Sequence, residues 1–278
     1  MKAYKVKSGI IIELDGNFHL LEGTDWDEFI NDGEVLQKTR KKLSSENQID
    51  NASALLESEL EAPVKNQEIW ASGVTYFNSK LGREEESREA GGSNFYARVY
   101  EADRPELFFK AMGYRAIPSG GKVRKRRDST WDVPEPELTL CITSDAKIIG
   151  YTIGNDMSSR SIEGENPLYL PQAKSYDGAT ALGPCVLLSD QPLPDHTKIS
   201  ISVFRDEKSV FSGVIGIDQI KRKLEDLVDY LYKECTFSKG SLLMTGTGIV
   251  PTSDFNLQSG DEICIQIDGI GELRNTVD

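Results

Sequence analysis

The chain has 278 residues, of which 38% are apolar and 28% charged, and 32 Lys and Arg stand against 45 Asp and Glu for a net charge of −13. This is the composition of an ordinary globular protein, long enough for one large domain or for one domain with a small appendage. So acidic a chain is not expected to bind nucleic acid, where affinity comes from clustered positive charge. Its two histidines, His19 and His196, leave little material for a Ser-His-Asp triad, a Cys-His pair or a histidine metal site. Any chemistry has to run on carboxylates and lysines, with or without a metal.

Residues 1–65 read as a small N-terminal α+β domain. "YKVKSGIIIEL", Asp15-Gly16 and "NFHLLEG" form the pattern of a β-hairpin with a primed turn, which places His19 in a strand. The "IIIEL" run is too short for a signal peptide and carries a glutamate. A polar, helix-forming stretch follows, "DWDEFINDGEVLQKTRKKL". "SSENQIDNASALLESELEAPVKNQ" then has the composition of a linker ending near Pro63.

Residues 66–278 form the second predicted domain. Short strand-like runs recur there: "LTLCI", "KIIGYTIGN", "CVLLS", "KISISVFR", "SVFSGVIG" and "EICIQIDGIG". One helix is expected, with Asp218 as N-cap and Ile220, Leu224, Leu227, Val228 and Leu231 at helical spacing. The fold class is therefore mostly β, or α+β, without alternating βαβ units. No phosphate-cradling glycine motif occurs. The basic run Lys122–Arg127 reads as a solvated loop or an oligomer contact. The cysteines, Cys141, Cys185, Cys235 and Cys264, form no CxxC pair and read as small buried hydrophobes in a reducing compartment. No segment approaches the ~20 apolar residues of a membrane helix, so a cytoplasmic protein without membrane contact is expected.

"WDVPEPELTLCI" carries the clearest chemical signal. Glu135 and Glu137 flank Pro136, and in an extended chain residues i and i+2 share a face. Two bare carboxylates ~4 Å apart repel by about 4 kcal/mol at an effective dielectric near 20. Protonation, a basic side chain or a cation must offset that. "KIIGYTIGND" delivers Asp156 at the end of another strand, and three carboxylates suit Mg²⁺, Mn²⁺ or Ca²⁺ rather than zinc. The competing reading is two surface glutamates and an aspartate that caps a turn.

Taken in order, "WDVPEPEL", "GYTIGNDMSSR", "LPQAKSYDG", "ALGP", "SLLMTGTGIVP" and "GDEICIQIDGIGEL" resemble the fumarylacetoacetate hydrolase family over about residues 70–277. The resemblance implies a mixed β-roll and a small N-terminal domain. It also implies a divalent cation, Mg²⁺ first, held by Glu135, Glu137 and Asp156, and pairing of protomers into a homodimer or a dimer of dimers. Hydrolytic members keep a water-activating histidine just after a "GxNY"-like motif; in "GVTYFNSK" that position is Ser79. "GVTYFNS", "RPELFFKA", "PEPEL", "ENPLYLPQAK" and "TGTGIVP" are most similar to the branch that dehydrates 2-keto-3-deoxy-D-arabinonate.

That branch implies a metal-dependent hydro-lyase acting on a 2-keto-3-deoxy sugar acid. The cation stabilises the enolate formed when a C3 proton leaves, and the product is a dioxo acid. Glu106 and Lys174 become the acid–base candidates, with strand capping and a surface charge as their plain alternatives. Ser79, Arg160 and Thr247 become substrate-binding candidates; Arg160 has an equal claim to orienting the metal ligands, and Thr245 and Thr247 to an ordinary tight turn. Lys110 is expected in a semi-buried ion pair, and Asp177 in a structural role. The alternative activity is metal-dependent C–C hydrolysis or decarboxylation of acylpyruvate-type substrates.

Overall fold

The computed structural model describes residues 1–43, 47–86 and 93–278. The predicted hairpin is present: β1 (Lys2–Val6), β2 (Gly9–Leu14) and β3 (Asn17–Glu22) run antiparallel, with His19 in β3. The β2–β3 turn holds Asp15 at φ +50° and Gly16 at φ +80°, the left-handed pair a type I′ turn demands. Helices α1 (Trp26–Ile30) and α2 (Val35–Lys42) occupy the stretch expected to be helical.

The linker expectation needs correction. Residues Ala52–Glu59 form helix α3, and Leu60 then bridges to Val6. The run "ALLESE" is rich in good helix formers, which outweighs the Ser and Asn around it. Ser44, Ser45 and Glu46 of that stretch lie outside the described residues.

The rest of the chain supplies β4 (Glu68–Gly73), α4 (Phe77–Glu86), α5 (Ser93–Glu101), β5 (Glu106–Met112), β6 (Lys122–Val123), β7 (Asp132–Val133), β8 (Pro136–Ile142), β9 (Ile148–Asp156) and β10 (Ser158–Ser159). These are followed by α6 (Arg160–Glu165), α7 (Leu170–Lys174), β11 (Thr180–Leu188), β12 (Lys198–Arg205), β13 (Lys208–Gly216), α8 (Leu224–Tyr232), β14 (Ser241–Met244), β15 (Glu262–Ile267) and β16 (Gly271–Val277). A nine-stranded sheet runs β3-β2-β1-β11-β9-β8-β14-β4-β5, and a five-stranded sheet runs β13-β12-β15-β16-β6. Pairing is antiparallel except at β14–β4 and β16–β6. The β1–β11 pairing joins the N-terminal hairpin to the larger sheet.

The predominance of β structure follows from two-sided burial. In β8, Leu138, Leu140 and Ile142 join Ile199, Ile201, Ile263 and Ile265 of the second sheet. Cys141 points the other way and joins Ile69, Leu182, Val186, Met244, Trp26 and Phe29. This is the period of two expected of a strand, and each such aliphatic side chain contributes roughly 1.5–3 kcal/mol by leaving water.

Two further expectations change. Helix α8 starts at Leu224, with Lys223 rather than Asp218 at its N-cap. Residues Ile217–Gln219 form a separate 3₁₀ turn, and Ile220 bridges to Tyr76 while the Lys221 N–H donates to the Thr75 carbonyl. That cross-chain pairing holds the segment extended where local periodicity favours helix. Cys235 is exposed beyond the end of α8, unlike the other three cysteines. The basic run is neither wholly loop nor wholly solvated: β6 pairs with β16, and an Arg126 guanidinium N–H donates to the Gln172 carbonyl on α7.

Candidate active site

Strand direction gathers the site at one end of the larger sheet. The C-terminal ends of β4, β9 and β14 meet the N-terminal ends of β5, β8 and β11 there. Pro136 pairs with Asn155, so Glu137 lies opposite Gly154 and Asp156 closes β9 beside them. Glu135 precedes β8 by one residue, and its carbonyl accepts from the Asp156 N–H at 3.0 Å. Pro136 is tolerated inside the sheet because it opens the strand. One oxygen from each of Glu135, Glu137 and Asp156 lies within 4.8 Å of the others. All three side chains are buried, at 4%, 1% and 1% exposure, which rules out the surface-glutamate reading.

Each carboxylate is pinned from outside the trio. The Arg160 Nη2 donates to Glu135 Oε1 at 2.7 Å, and the Gly246 N–H donates to Glu137 Oε2 at 2.6 Å. Lys110 Nζ stands 2.6 Å from Asp156 Oδ1 and also donates to the Met157 and Lys174 carbonyls. The second oxygens of Glu135 and Asp156 are bridged by Lys174 Nζ, at 2.6 and 3.1 Å, which also donates to Ser158 Oγ. Lys110 and Lys174 are both fully buried; Lys110 was expected in a semi-buried pair.

Burial, with Asp156 and Glu135 beside it, holds the Glu137 carboxyl well above the usual carboxylate range. Burial likewise pushes the Lys110 amine down, against the pull of Asp156. A buried, oxygen-only donor set of this kind fits a hard divalent cation, whose charge would relieve the carboxylate repulsion. Glu135, Glu137 and Asp156 are the side chains that would hold it.

A cavity of about 10 Å³, room for a single water, is lined by this trio, Arg160, Lys174, Ser79, Thr247, Gly246, Phe108 and the Ser72–Val74 segment. The structure thus brings Ser79, Glu135, Glu137, Asp156, Arg160, Lys174 and Thr247 to one cavity, while Glu106, Lys110, Thr245 and Asp177 do not line it. Glu106 is not part of that lining but is the cross-strand neighbour, across β4–β5, of Gly73, which is. A Cβ on Gly73 would lie 2.0 Å from Glu106 Oε2. A side chain at position 73 would therefore push the Glu106 carboxylate from its place.

Ser79 sits on the first turn of α4. Its Oγ donates to the Tyr76 carbonyl at 2.7 Å and accepts from the Tyr76 N–H at 3.2 Å, as a helix-capping side chain does. Thr247 Oγ1 donates to the Ile249 carbonyl. The Gly246 N–H between Thr245 and Thr247 is committed to Glu137. Asp177 makes a surface pair with Arg115 at 3.4 Å.

Val74, Ser158 and Glu163 were not singled out from sequence. Val74 has φ +53°, rare for a β-branched residue and a mark of backbone held by its surroundings. Ser158 lies two residues after Asp156. Glu163 lies one helical turn after Arg160, a spacing readable only once α6 is known.

A sequence profile described as "Fumarylacetoacetate (FAA) hydrolase C-terminal" matches residues 84–278. The chain belongs to the fumarylacetoacetate hydrolase family. It is 44% identical over 225 residues to a probable 2-keto-3-deoxyxylonate dehydratase of Haloferax volcanii, covering 81% of this chain and 76% of the relative. It is 40% identical over 220 residues to the 2-dehydro-3-deoxy-D-arabinonate dehydratase of Saccharolobus solfataricus, covering 77% of this chain and 73% of that one. A solved 2-keto-3-deoxy-D-arabinonate dehydratase in complex with magnesium and 2,5-dioxopentanoate superposes with TM-score 0.84 at 32% identity, covering 100% and 98% of the two chains. A fumarylacetoacetate hydrolase of Exiguobacterium antarcticum shares the fold, with TM-score 0.70 at 21% identity over 100% and 99% of the chains. Within the family, the similarity thus runs to the dehydratases, as "ENPLYLPQAK" and "TGTGIVP" indicated.

Proposed function

We propose that this protein is a Mg²⁺-dependent dehydratase that converts a 2-keto-3-deoxy sugar acid, such as 2-keto-3-deoxy-D-arabinonate, to a dioxo acid with loss of one water. The observation that carries the reading is the juxtaposition of three buried carboxylates with the Lys174 amine around one cavity, in a chain similar to dehydratases over most of its length. A divalent cation, when bound, supplies a Lewis acid for the carboxylate and keto oxygen of a 2-keto acid.

The remaining roles belong to the chain. Glu135, Glu137 and Asp156 hold the ion. Arg160, Lys110 and the Gly246 N–H fix the orientation of those carboxylates, the kind of support that outer partners give metal ligands. Lys174 Nζ and the Glu106 carboxyl share the two proton transfers that dehydration needs, removal at C3 and protonation of the departing C4 hydroxyl. A positioned acid or base contributes typically ~10²–10⁴-fold. Ser79, Thr247 and Arg160 bound the space for the rest of the substrate, and Phe108 covers it from β5. Ser79 is tied to the Tyr76 backbone and has no imidazole to activate water, so C–C hydrolysis is disfavoured.

The reading includes a cytoplasmic protein built from a small N-terminal unit, residues 1–65, and a catalytic unit, residues 66–278, assembled as a homodimer or dimer of dimers. The test is turnover of a panel of 2-keto-3-deoxy sugar acids with Mg²⁺, followed by mass spectrometry. Loss of one water from a substrate supports dehydration. Gain of water with release of pyruvate or a similar acid would overturn it in favour of hydrolysis.

A further inference from the structure

We infer that Lys174 is an internal counter-cation that a divalent metal displaces, and that Glu163 is the positioning residue that receives its ammonium. The inference rests on the assignment of Glu135, Glu137 and Asp156 as metal ligands. Lys174 Nζ bridges Glu135 Oε2 and Asp156 Oδ2 at 2.6 and 3.1 Å. The other oxygens of these two carboxylates are engaged by Arg160 and Lys110. The oxygens the lysine occupies are therefore those through which a cation would draw the two carboxylates together.

A Mg²⁺ ion takes its ligand oxygens at about 2.0–2.1 Å. An ammonium that stayed 2.6 Å from the same Glu135 oxygen would stand within about 5 Å of a divalent charge, among fully buried side chains where the repulsion is weakly screened. The lysine has to give way, and the surroundings restrict where it goes. Lys110 Nζ, another cation, lies on the Asp156 side and donates to the Lys174 carbonyl. The Arg160 guanidinium closes the Glu135 side.

Glu163 Oε1 lies 3.9 Å from Lys174 Nζ, just beyond hydrogen-bonding distance, and both side chains are 1% exposed. Glu163 sits on α6 at i+3 from Arg160, so the two share a helix face. One helical turn thus pins a metal ligand and offers the displaced ammonium a carboxylate. A movement of about 1 Å closes the Lys174–Glu163 contact to ion-pair hydrogen-bond length.

Binding of Mg²⁺ measured by calorimetry tests this without any turnover. Lys174→Met, having no ammonium to expel, should bind Mg²⁺ about tenfold or more tightly than the unaltered protein. Glu163→Gln should bind it about fivefold or more weakly, and should have no effect in the Lys174→Met background, because coupling of this kind vanishes when one partner is removed. Lys174→Gln serves as a second variant should Lys174→Met fail to fold without metal, and recovery of folding on adding Mg²⁺ would also support displacement. Unchanged or weaker binding by both lysine variants, or an equal loss from Glu163→Gln in both backgrounds, would overturn the inference. Glu135→Gln separates the two levels of the argument. If it binds Mg²⁺ as tightly as the unaltered protein, the ligand assignment itself fails.

Discussion

Glu137 carries the clearest electrostatic cost among the site residues. Its carboxyl stays protonated in the folded chain well above the value of 4.5 at which an unstrained glutamate ionises. The sign follows directly: above that value the unfolded chain releases a proton that the folded chain keeps. In chelator, folding stability should therefore fall by up to ~1.4 kcal/mol per pH unit relative to Glu137→Gln. Urea unfolding of the two proteins between pH 4.5 and 7 measures this, and parallel profiles would contradict it. Exhaustive chelation should abolish turnover, Mg²⁺ or Mn²⁺ should restore it, and Glu135→Gln and Glu137→Gln should weaken metal binding in calorimetry. Lys174→Ala and Glu106→Gln should each lower kcat by about 10²-fold or more with the fold intact by circular dichroism. Gly73→Ala should mimic the Glu106 variant, because the added Cβ would occupy the space of the Glu106 carboxylate. The acidic trio was legible in the sequence because alternation along β8 and the end of β9 put its members on strand termini. The Gly73–Glu106 contact was not, since it depends on a register between strands 33 residues apart that includes an irregularity at Ile69/Trp70.

At the level of elements, the segment joining β4 to α4 brings Val74 to the cavity wall. Thr75 Oγ1 donates to the Thr245 carbonyl at 2.7 Å, and the Thr75 carbonyl accepts from the Lys221 N–H. These ties from two distant stretches hold Val74 at positive φ. Relief of that strain should offset much of the side-chain loss in Val74→Gly, leaving its stability within ~1 kcal/mol of the unaltered protein, against the 1.5–3 kcal/mol of an ordinary buried valine. A urea midpoint far below that would show the conformation is not strained. Ser79→Ala removes the acceptor for the Tyr76 N–H at the start of α4 and should cost about 1 kcal/mol, the worth of one such hydrogen bond. Local rules read β2–β3 and α1–α2 correctly, because turn chemistry and propensity agreed with the fold. They misplaced the start of α8 because the Ile220–Tyr76 bridge, a contact across the fold, takes Ile220 from the helix its spacing suggested.

For the whole molecule, the order of strands in the larger sheet leaves β3 and β5 as its edges, and β13 and β6 as those of the smaller one. Val210 and Val214 stand exposed on β13, an outer strand of the kind that invites pairing with another chain unless covered. Light scattering at micromolar concentration should give a dimer or a dimer of dimers, and a monomer would contradict that expectation. The mostly antiparallel β character of the fold was readable from short apolar runs and turn residues, whereas the seat of β1 beside β11 was not. No local signal specifies a partner more than 170 residues away in the sequence.

That seat has a consequence for how the protein is made. During synthesis β1 leaves the ribosome long before β11 exists. At roughly 5–20 residues per second, the interval is on the order of 10–35 seconds. β2 can pair with β1 on one side and β3 on the other at once, but the other edge of β1 stays open for that time. The N-terminal hairpin is thus made first and seated late, and the period of greatest exposure to misassociation falls before the chain has finished the site it will serve.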